Sequence, residues 1–507
     1  MTILKDFTSQ KVFEYFEEIC AIPHGSRDTK KISDYCVDFA KNHNLRYIQD
    51  EFNNIVIFKS GTKGYEDSKP VIIQGHLDMV CEKENDCNID FANDALDIFV
   101  EGDFIKAKGT TLGGDDGIAV AMALAILDSD DIAHPPIEAV FTVDEEIGML
   151  GAAAFDYSVL DGRIMLNIDS EEEGHLLVSC AGGVTATCHL PVEYEDAEGM
   201  KVLIKVTGLT GGHSGVEIDK GRGNANRILG RVLYDLKEEF DFNIISVNGG
   251  LKDNAIPREA VAEIIVKNAG ENLSGIKTDL LFAKLEKYIS NYSKILENEY
   301  RLTDSDVKVV VEKYDGNLDE NTNVDFKINI SKEKVFTDDS TKKVITALVN
   351  LPGGIEKMSR DFEGLVQTSL NMGILKSMKD KVVFSFCVRS SVESEKIELV
   401  QRLKCLMEIL GGNVECKGDY PAWEYKEDSM LREIMIEIYK ELYGNQPMVD
   451  AMHAGVECGL FAGNLPGLDC ISFGPDIFDI HTPKERLSIS SVERTWKFLL
   501  AVLKRLQ

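Results

Sequence analysis

The segment VIIQGHLDMV, residues 71–80, ends an apolar run with His76 and Asp78 two residues apart. An imidazole can bind a metal ion through one ring nitrogen while a nearby carboxylate accepts the proton of the other and fixes the tautomer. Other apolar runs finish in the same currency of side chains. TTLGGDDG brings Asp115 and Asp116 to the start of an apolar helix, AVFTV is followed by Asp144, Glu145 and Glu146, IMLNI by Asp169, and LDCISF by GPDIFDIH, which ends at His481. A single acid after a strand is commonly a helix cap or a solvated loop residue. Five exits delivering carboxylate or imidazole to one sheet edge make a site, because ligands collect beyond the carboxyl ends of parallel strands. Two histidines with several carboxylates and no thiolate suit zinc, with cobalt or manganese as substitutes.

The donors are numerous enough for two divalent ions. One carboxylate can bridge two ions about 3.5–4 Å apart with its two oxygens, leaving roughly one histidine and one acid for each. Glu145 and Glu146 are adjacent and cannot both point the same way. One can bind metal while the other stands free as a base. The glycines of GGDDG and TGGHSG permit close backbone approach or positive φ. Neither stretch is a phosphate loop, and no GxSxG elbow for a nucleophilic serine occurs.

These residues need a scaffold. Strand patterns at NNIVIF, PVIIQG, IEAVFTV and RIMLNI alternate with helical ones, and DDGIAVAMALAILDSD is apolar nearly all round, as a buried helix is. The expectation is a mixed, largely parallel α/β sheet with helices on both faces. From residue 187 the pattern changes to two β-α-β-β-α passes, the second opening at VKVVVEK. After residue 419 the first pattern returns, closing with a helix on which Val492, Trp496, Leu499, Leu500 and Leu503 share a face and Ser490 with Glu493 reads as a capping box. One domain is thus expected from residues 1–186 and 420–507, with residues 187–419 inserted as an α+β domain of two similar halves.

The chain has 507 residues, 44% hydrophobic and 28% charged, which suits a soluble protein of more than one domain. Its 86 acidic against 55 basic residues give a net charge of -31, which excludes nucleic acid and anionic membranes as expected partners. No segment reads as a secretory signal or a membrane span. The 11 scattered cysteines without a CxxC pair read as reduced thiols of a cytoplasmic protein.

The order GHLDMV, LGGDDGI, VDEEIGMLGA, NIDSEE and a late histidine before TPKERL resembles the M20 family of metallopeptidases, and HSGVEIDKGRGNAN and HAGVECGLF resemble its aminoacyl-histidine dipeptidase branch. The resemblance runs along nearly the whole chain. It implies a di-zinc enzyme that hydrolyses dipeptides, among them β-Ala-His. By it, His76 and Asp169 would bind one zinc, Glu146 and His481 the other, and Asp115 would bridge. Asp78 would support His76, and Glu145 would be general base and acid. The inserted domain would be a lid whose His213 reaches the substrate carbonyl oxygen, and a homodimer through that lid is left open. Asp116 departs from the asparagine expected beside the bridging ligand. For the substrate itself, Arg389 is a candidate carboxylate clamp, with Asn254, His453 and Glu457 as further candidates. An N-deacylase or tripeptidase would use the same metal chemistry. An acidic, non-catalytic binding protein would have lost Glu145, which is present.

Overall fold

The computed structural model describes residues 3–5, 7–267, 275–313 and 330–507. The chain forms two compact units, Met1–Cys180 with Tyr420–Gln507, and Ala181–Asp419. The first junction falls ahead of residue 187, the boundary expected from composition. The reason is the strand Gly182–Pro191, which pairs along its length with Lys381–Ser390 of the second unit.

The first unit is built on eight strands: β1 (Arg46–Gln49), β2 (Ile55–Lys59), β3 (Val71–His76), β4 (Ile137–Thr142), β5 (Ile164–Asn167), β6 (His175–Cys180), β7 (Met448–Met452) and β8 (Asp469–Ser472). Their spatial order is β1-β2-β4-β3-β5-β8-β6-β7. The central strands β4, β3, β5 and β8 run parallel to one another, while β1 and β2 are antiparallel. Both β3 and β4 are buried at every position, as strands covered on both faces must be.

Alternate residues serve opposite faces. Val56, Ile72, Val140 and Met165 pack with Trp423 and with Cys458, Leu460 and Phe461 of the helix Glu457–Asn464. On the other face lies the helix Gly114–Asp128, buried from Gly114 to Leu127. Its apolar circumference fits that position, since each fully buried aliphatic side chain contributes roughly 1.5–3 kcal/mol over exposure. Gly75 is fixed by this packing, because a Cβ there would lie 2.5 Å from Asp116 Oδ2 and 2.8 Å from the Ala119 Cβ.

The closing helix is Ile489–Arg505, and its cap differs from the expected one. Ser488, not Ser490, accepts from Ser491 N, while Ser490 Oγ donates to Asp103 and Glu493 accepts from Thr8 N. The helix starts two residues early because β-pairing of Arg486–Ser488 with Phe104–Ala107 carries the chain straight into it.

The second unit has a ten-stranded antiparallel sheet. Its main path runs Lys308–Lys313, Tyr194–Thr207, Ala260–Val266, Phe242–Gly249, Val366–Ser377, Lys381–Ser390, Gly182–Pro191 and Asn413–Tyr420. Helices Ala225–Glu239 and Asp338–Asn350 pack on it and on each other. The strand expected to open the second half, Lys308–Lys313, instead pairs with Tyr194–Thr207 at the edge of the first. Ile330–Phe336 takes its place and pairs with the other end of that same long strand.

Candidate metal centre

The carboxyl ends of β3, β4 and β5 lie side by side, with His76 in register with Thr142, and Gln74 with Asn167. His76, Asp144–Glu146 and Asp169 therefore leave one edge of the sheet together. His76 Nε2 is 3.2 Å from Asp115 Oδ1 and 3.5 Å from Asp169 Oδ1. His481 Nε2 is 3.2 Å from Asp115 Oδ2 and 3.0 Å from Glu146 Oε2. Each oxygen of Asp115 thus faces a different histidine, and each histidine faces a second acid.

The residues fit divalent ions. Donors bound about 2.1 Å from a tetrahedral ion lie roughly 3.4 Å from one another, close to the spacings within each histidine–acid pair. Glu146 Oε1 is buried with no hydrogen-bond partner. Two sets of donors, His76 with Asp115 and Glu146, and His76 with Asp116 and Asp169, each come within 4.8 Å of one another.

Without ions the carboxylates press on each other and on the imidazoles. Burial pushes Asp169 up to about 6 against the pull of His76, with Asp115 and Glu146 adding to the rise. Burial, with Asp115 and Asp169 nearby, takes Glu171 to about 8. His481 is raised to about 10 by Asp115 and Glu146. Burial opposes charge on His76, yet Asp115, Asp169 and Asp78 together hold its pKa well above the ordinary value. Asp115 goes the other way: burial opposes its charge, but His481 and His76 override it and its pKa falls. Asp116 is raised well above the usual range by burial and by Asp169, while Oδ2 accepts from His76 N at 3.1 Å. A protonated carboxyl is uncharged, so Asp116 can stand where an asparagine was expected.

Asp78 meets His76 through its main chain as well as its side chain. His76 Nδ1 lies 2.9 Å from the Asp78 carbonyl oxygen, and the nearest carboxylate oxygen is at 3.5 Å. The carboxylate also accepts from Glu145 N at 3.0 Å, Glu146 N at 3.3 Å and Ser26 Oγ at 2.8 Å. The turn after β3 folds the main chain under the ring, which leaves the side chain free to hold the neighbouring loop.

Glu145 receives no hydrogen bond on its carboxylate among the described residues. Burial raises its pKa well above the ordinary value, with Asp169, Glu457 and Glu146 adding to the rise against His76. Glu485 was not anticipated. Its carboxylate accepts from Leu112 N (2.8 Å), Gly113 N (3.3 Å) and Gly114 N (2.8 Å), so it ties the Asp115 loop to the segment carrying His481. A Cβ at Gly114 would come within 3.2 Å of Glu485 Oε1, which suits the second glycine of LGGDDG. Its position four residues after His481 was the available signal.

His453 is buried in the first unit, just after β7. His213, Asn254 and Arg389 belong to the second. His213 pairs with Ala255 in a short two-stranded ladder, and Ser214 N donates to the Asn254 carbonyl at 2.9 Å. The His213 ring accepts at Nδ1 from Gly215 N and Val216 N, both at 3.2 Å, so its proton sits on Nε2. Burial first, then the Arg389 charge, lower its pKa and keep it neutral. Arg389 is buried near the end of its strand, opposite Ser369 and Gly183.

The similarity to known proteins follows this geometry. The chain is 35% identical over 509 residues to the cytosol non-specific dipeptidase of Escherichia coli K12, covering all of this chain and 99% of that one. Its structure is similar to that of aminoacylhistidine dipeptidase from Vibrio alginolyticus, with TM-score 0.86 and 33% identity over 99% of this chain and 97% of that one. An aminopeptidase of Bacillus cereus shares the fold at 14% identity and TM-score 0.55, covering 99% of each chain. The model of peptidase family M20/M25/M40 matches residues 72–505, a span that opens in the strand carrying His76 and runs past His481, and the chain belongs to that family.

Proposed function

We propose that this protein is a two-metal dipeptidase of broad specificity that accepts Xaa-His substrates such as β-Ala-His. The observation that carries the reading is Asp115, whose two oxygens each face a different histidine at 3.2 Å. His76 and Asp169 would hold one ion, His481 and Glu146 the other, and Asp115 both, with zinc favoured by the donor set. When bound, such ions supply Lewis acidity and lower the pKa of water toward neutrality.

The chain's own residues supply the rest. Glu145, with no hydrogen bond committed on its carboxylate, takes a proton from the attacking water and returns it to the leaving amine. Asp78 holds the Glu145 and Glu146 amides so that the base and the ligand diverge. His213, neutral with its proton on Nε2, is a donor suited to the carbonyl oxygen as negative charge develops there. Arg389 would take the substrate carboxylate, with Asn254 and His453 as further substrate contacts.

Metal content of the purified protein, measured beside a panel of Ala-His, β-Ala-His, tripeptides and N-acetyl amino acids, tests the reading. Two ions per chain and hydrolysis of the dipeptides are expected. Cleavage of N-acetyl amino acids with dipeptides untouched, or full activity in chelated protein, would overturn it.

A further inference from the structure

Directly beneath the cluster lies a carboxyl that the reaction scheme does not use. Glu457 is fully buried at the first turn of the helix Glu457–Asn464. Its Oε2 accepts from Gln74 Nε2 and from Thr142 Oγ1, both at 2.6 Å. The other end of Gln74, Oε1, accepts from Asn167 Nδ2 at 2.5 Å. Gln74 and Asn167 are each two residues before a candidate ligand, His76 and Asp169, and Thr142 is in register with His76. Residues two apart on a strand share a face, so Gln74 and its register partner Asn167 stand one step below the candidate ligands, with Thr142 level with His76. A single side chain from the far end of the chain bonds two neighbouring strands, and Gln74 carries the link on to the third. A lone acid in an apolar core would cost more than it returns. Here the core of Ile72, Val140 and Met165 is interrupted at the level next to the metal cluster.

We propose that Glu457 is a positioning residue for the metal centre, locking Gln74, Thr142 and, through Gln74, Asn167, so that β3, β4 and β5 present His76, Glu145–Glu146 and Asp169 in fixed relation. Among the described residues it hydrogen-bonds none of the candidate ligands, and the role is positioning, not catalysis. Oε2 is committed to the sheet, while Oε1 is buried without a hydrogen-bond partner. Burial raises its pKa to about 8, so an uncharged amide is a fair isostere. The inference rests on the two-metal reading for its consequence, though not for its geometry.

The test uses the full chain with Glu457→Gln and Glu457→Ala. Glutamine keeps an oxygen that can accept from Gln74 and Thr142, and alanine does not. In chelated protein, amide hydrogen exchange is expected to rise at residues 74–77, 142–146 and 167–169 for Glu457→Ala and to stay near wild type for Glu457→Gln. With zinc added, Glu457→Ala should lose about 10- to 100-fold in metal affinity, the range for residues that orient ligands, and Glu457→Gln should lose little. Equal losses in both variants, or wild-type exchange in Glu457→Ala, overturn the proposal. Should wild-type protein fail to bind metal or cleave dipeptides, the functional reading falls, while the exchange experiment still decides the role of Glu457.

Discussion

Asp78 Oδ1 accepts a hydrogen bond from the backbone N–H of Glu145 at 3.0 Å, and Oδ2 accepts from the next amide, that of Glu146, at 3.3 Å. One carboxylate therefore holds the main chain of two adjacent acids to which the proposed function gives different tasks. Asp78→Ala should lower kcat by about 10- to 100-fold, as loss of an orienting group does, with both ions still bound at saturating metal. Asp78→Asn can accept only one of the two N–H groups well, and its loss should lie between. Steady-state kinetics with metal content measured on the same samples checks this. Unchanged kcat in Asp78→Ala would mean that the loop holds its shape without Asp78.

The adjacent acids are expected to separate cleanly. On the proposed reading Glu145→Gln removes the base, whose carboxylate makes no hydrogen bond among the described residues, so kcat should fall by about 10²-fold or more with metal content intact. Glu146 Oε2 faces His481 Nε2 at 3.0 Å. Glu146→Gln should weaken one of two metal sites and regain activity as the metal concentration is raised. Were added metal to rescue Glu145→Gln and not Glu146→Gln, the two roles would be exchanged.

The candidate cluster was legible because most of its members follow apolar runs, with Asp115 at the start of an apolar helix, and strand ends of a parallel sheet converge. That logic brought His76, Asp115 with Asp116, Asp144 to Glu146, Asp169 and His481 to one edge, and the family resemblance, not the spacing, chose among the adjacent acids. The partner of Asp78 could not be read in this way, since it depends on whether the turn after β3 offers the ring a carbonyl or a side chain. The Glu457–Gln74 contact spans 383 residues of sequence, and no local pattern announces a bond of that range. β6 and β7 were not anticipated: β7 is short and incompletely buried, and β6 is interrupted by half-buried positions. The pairing of Lys308–Lys313 with the first half of its sheet is likewise a choice among edges that one strand's composition does not encode.

The metal-free protein should lose stability as pH rises. His481 has its folded pKa raised to about 10, above the roughly 6.5 of a free imidazole. Its contribution is complete below about pH 6.5 and is lost as pH rises toward 10. Asp169, Glu171 and Glu485, raised by burial to about 6, 8 and 7, act in the same direction, since the folded state keeps protons that the unfolded chain has released. The melting temperature of chelated protein should therefore fall between pH 6 and 10. Adding zinc should remove most of that slope, because ions replace the protons, and should release protons on binding. Calorimetry in buffers of different ionisation enthalpy measures the release. A flat melting profile in chelator, or binding without proton release at neutral pH, would contradict the charge balance described for the cluster.

His213 gives the sharpest test of the second unit. Its Nδ1 is occupied by two backbone N–H donors, so only Nε2 can donate, and a second proton would have to displace Gly215 N and Val216 N. Burial and Arg389 add to that resistance, and the ring stays neutral as pH falls toward the ordinary imidazole value. In the proposed role a neutral donor would stabilise developing negative charge without binding the ground-state carbonyl strongly. His213→Ala should leave folding and metal content unchanged and lower kcat on the order of 10²-fold, with a smaller change in KM. His213→Gln, whose amide can also donate, should recover part of the loss. His213 is not among the candidate ligands, so neither variant should respond to added metal, in contrast to Glu146→Gln. Near-normal kcat and KM in His213→Ala at full metal occupancy would remove His213 from the chemistry and leave its locked tautomer a feature of the turn alone.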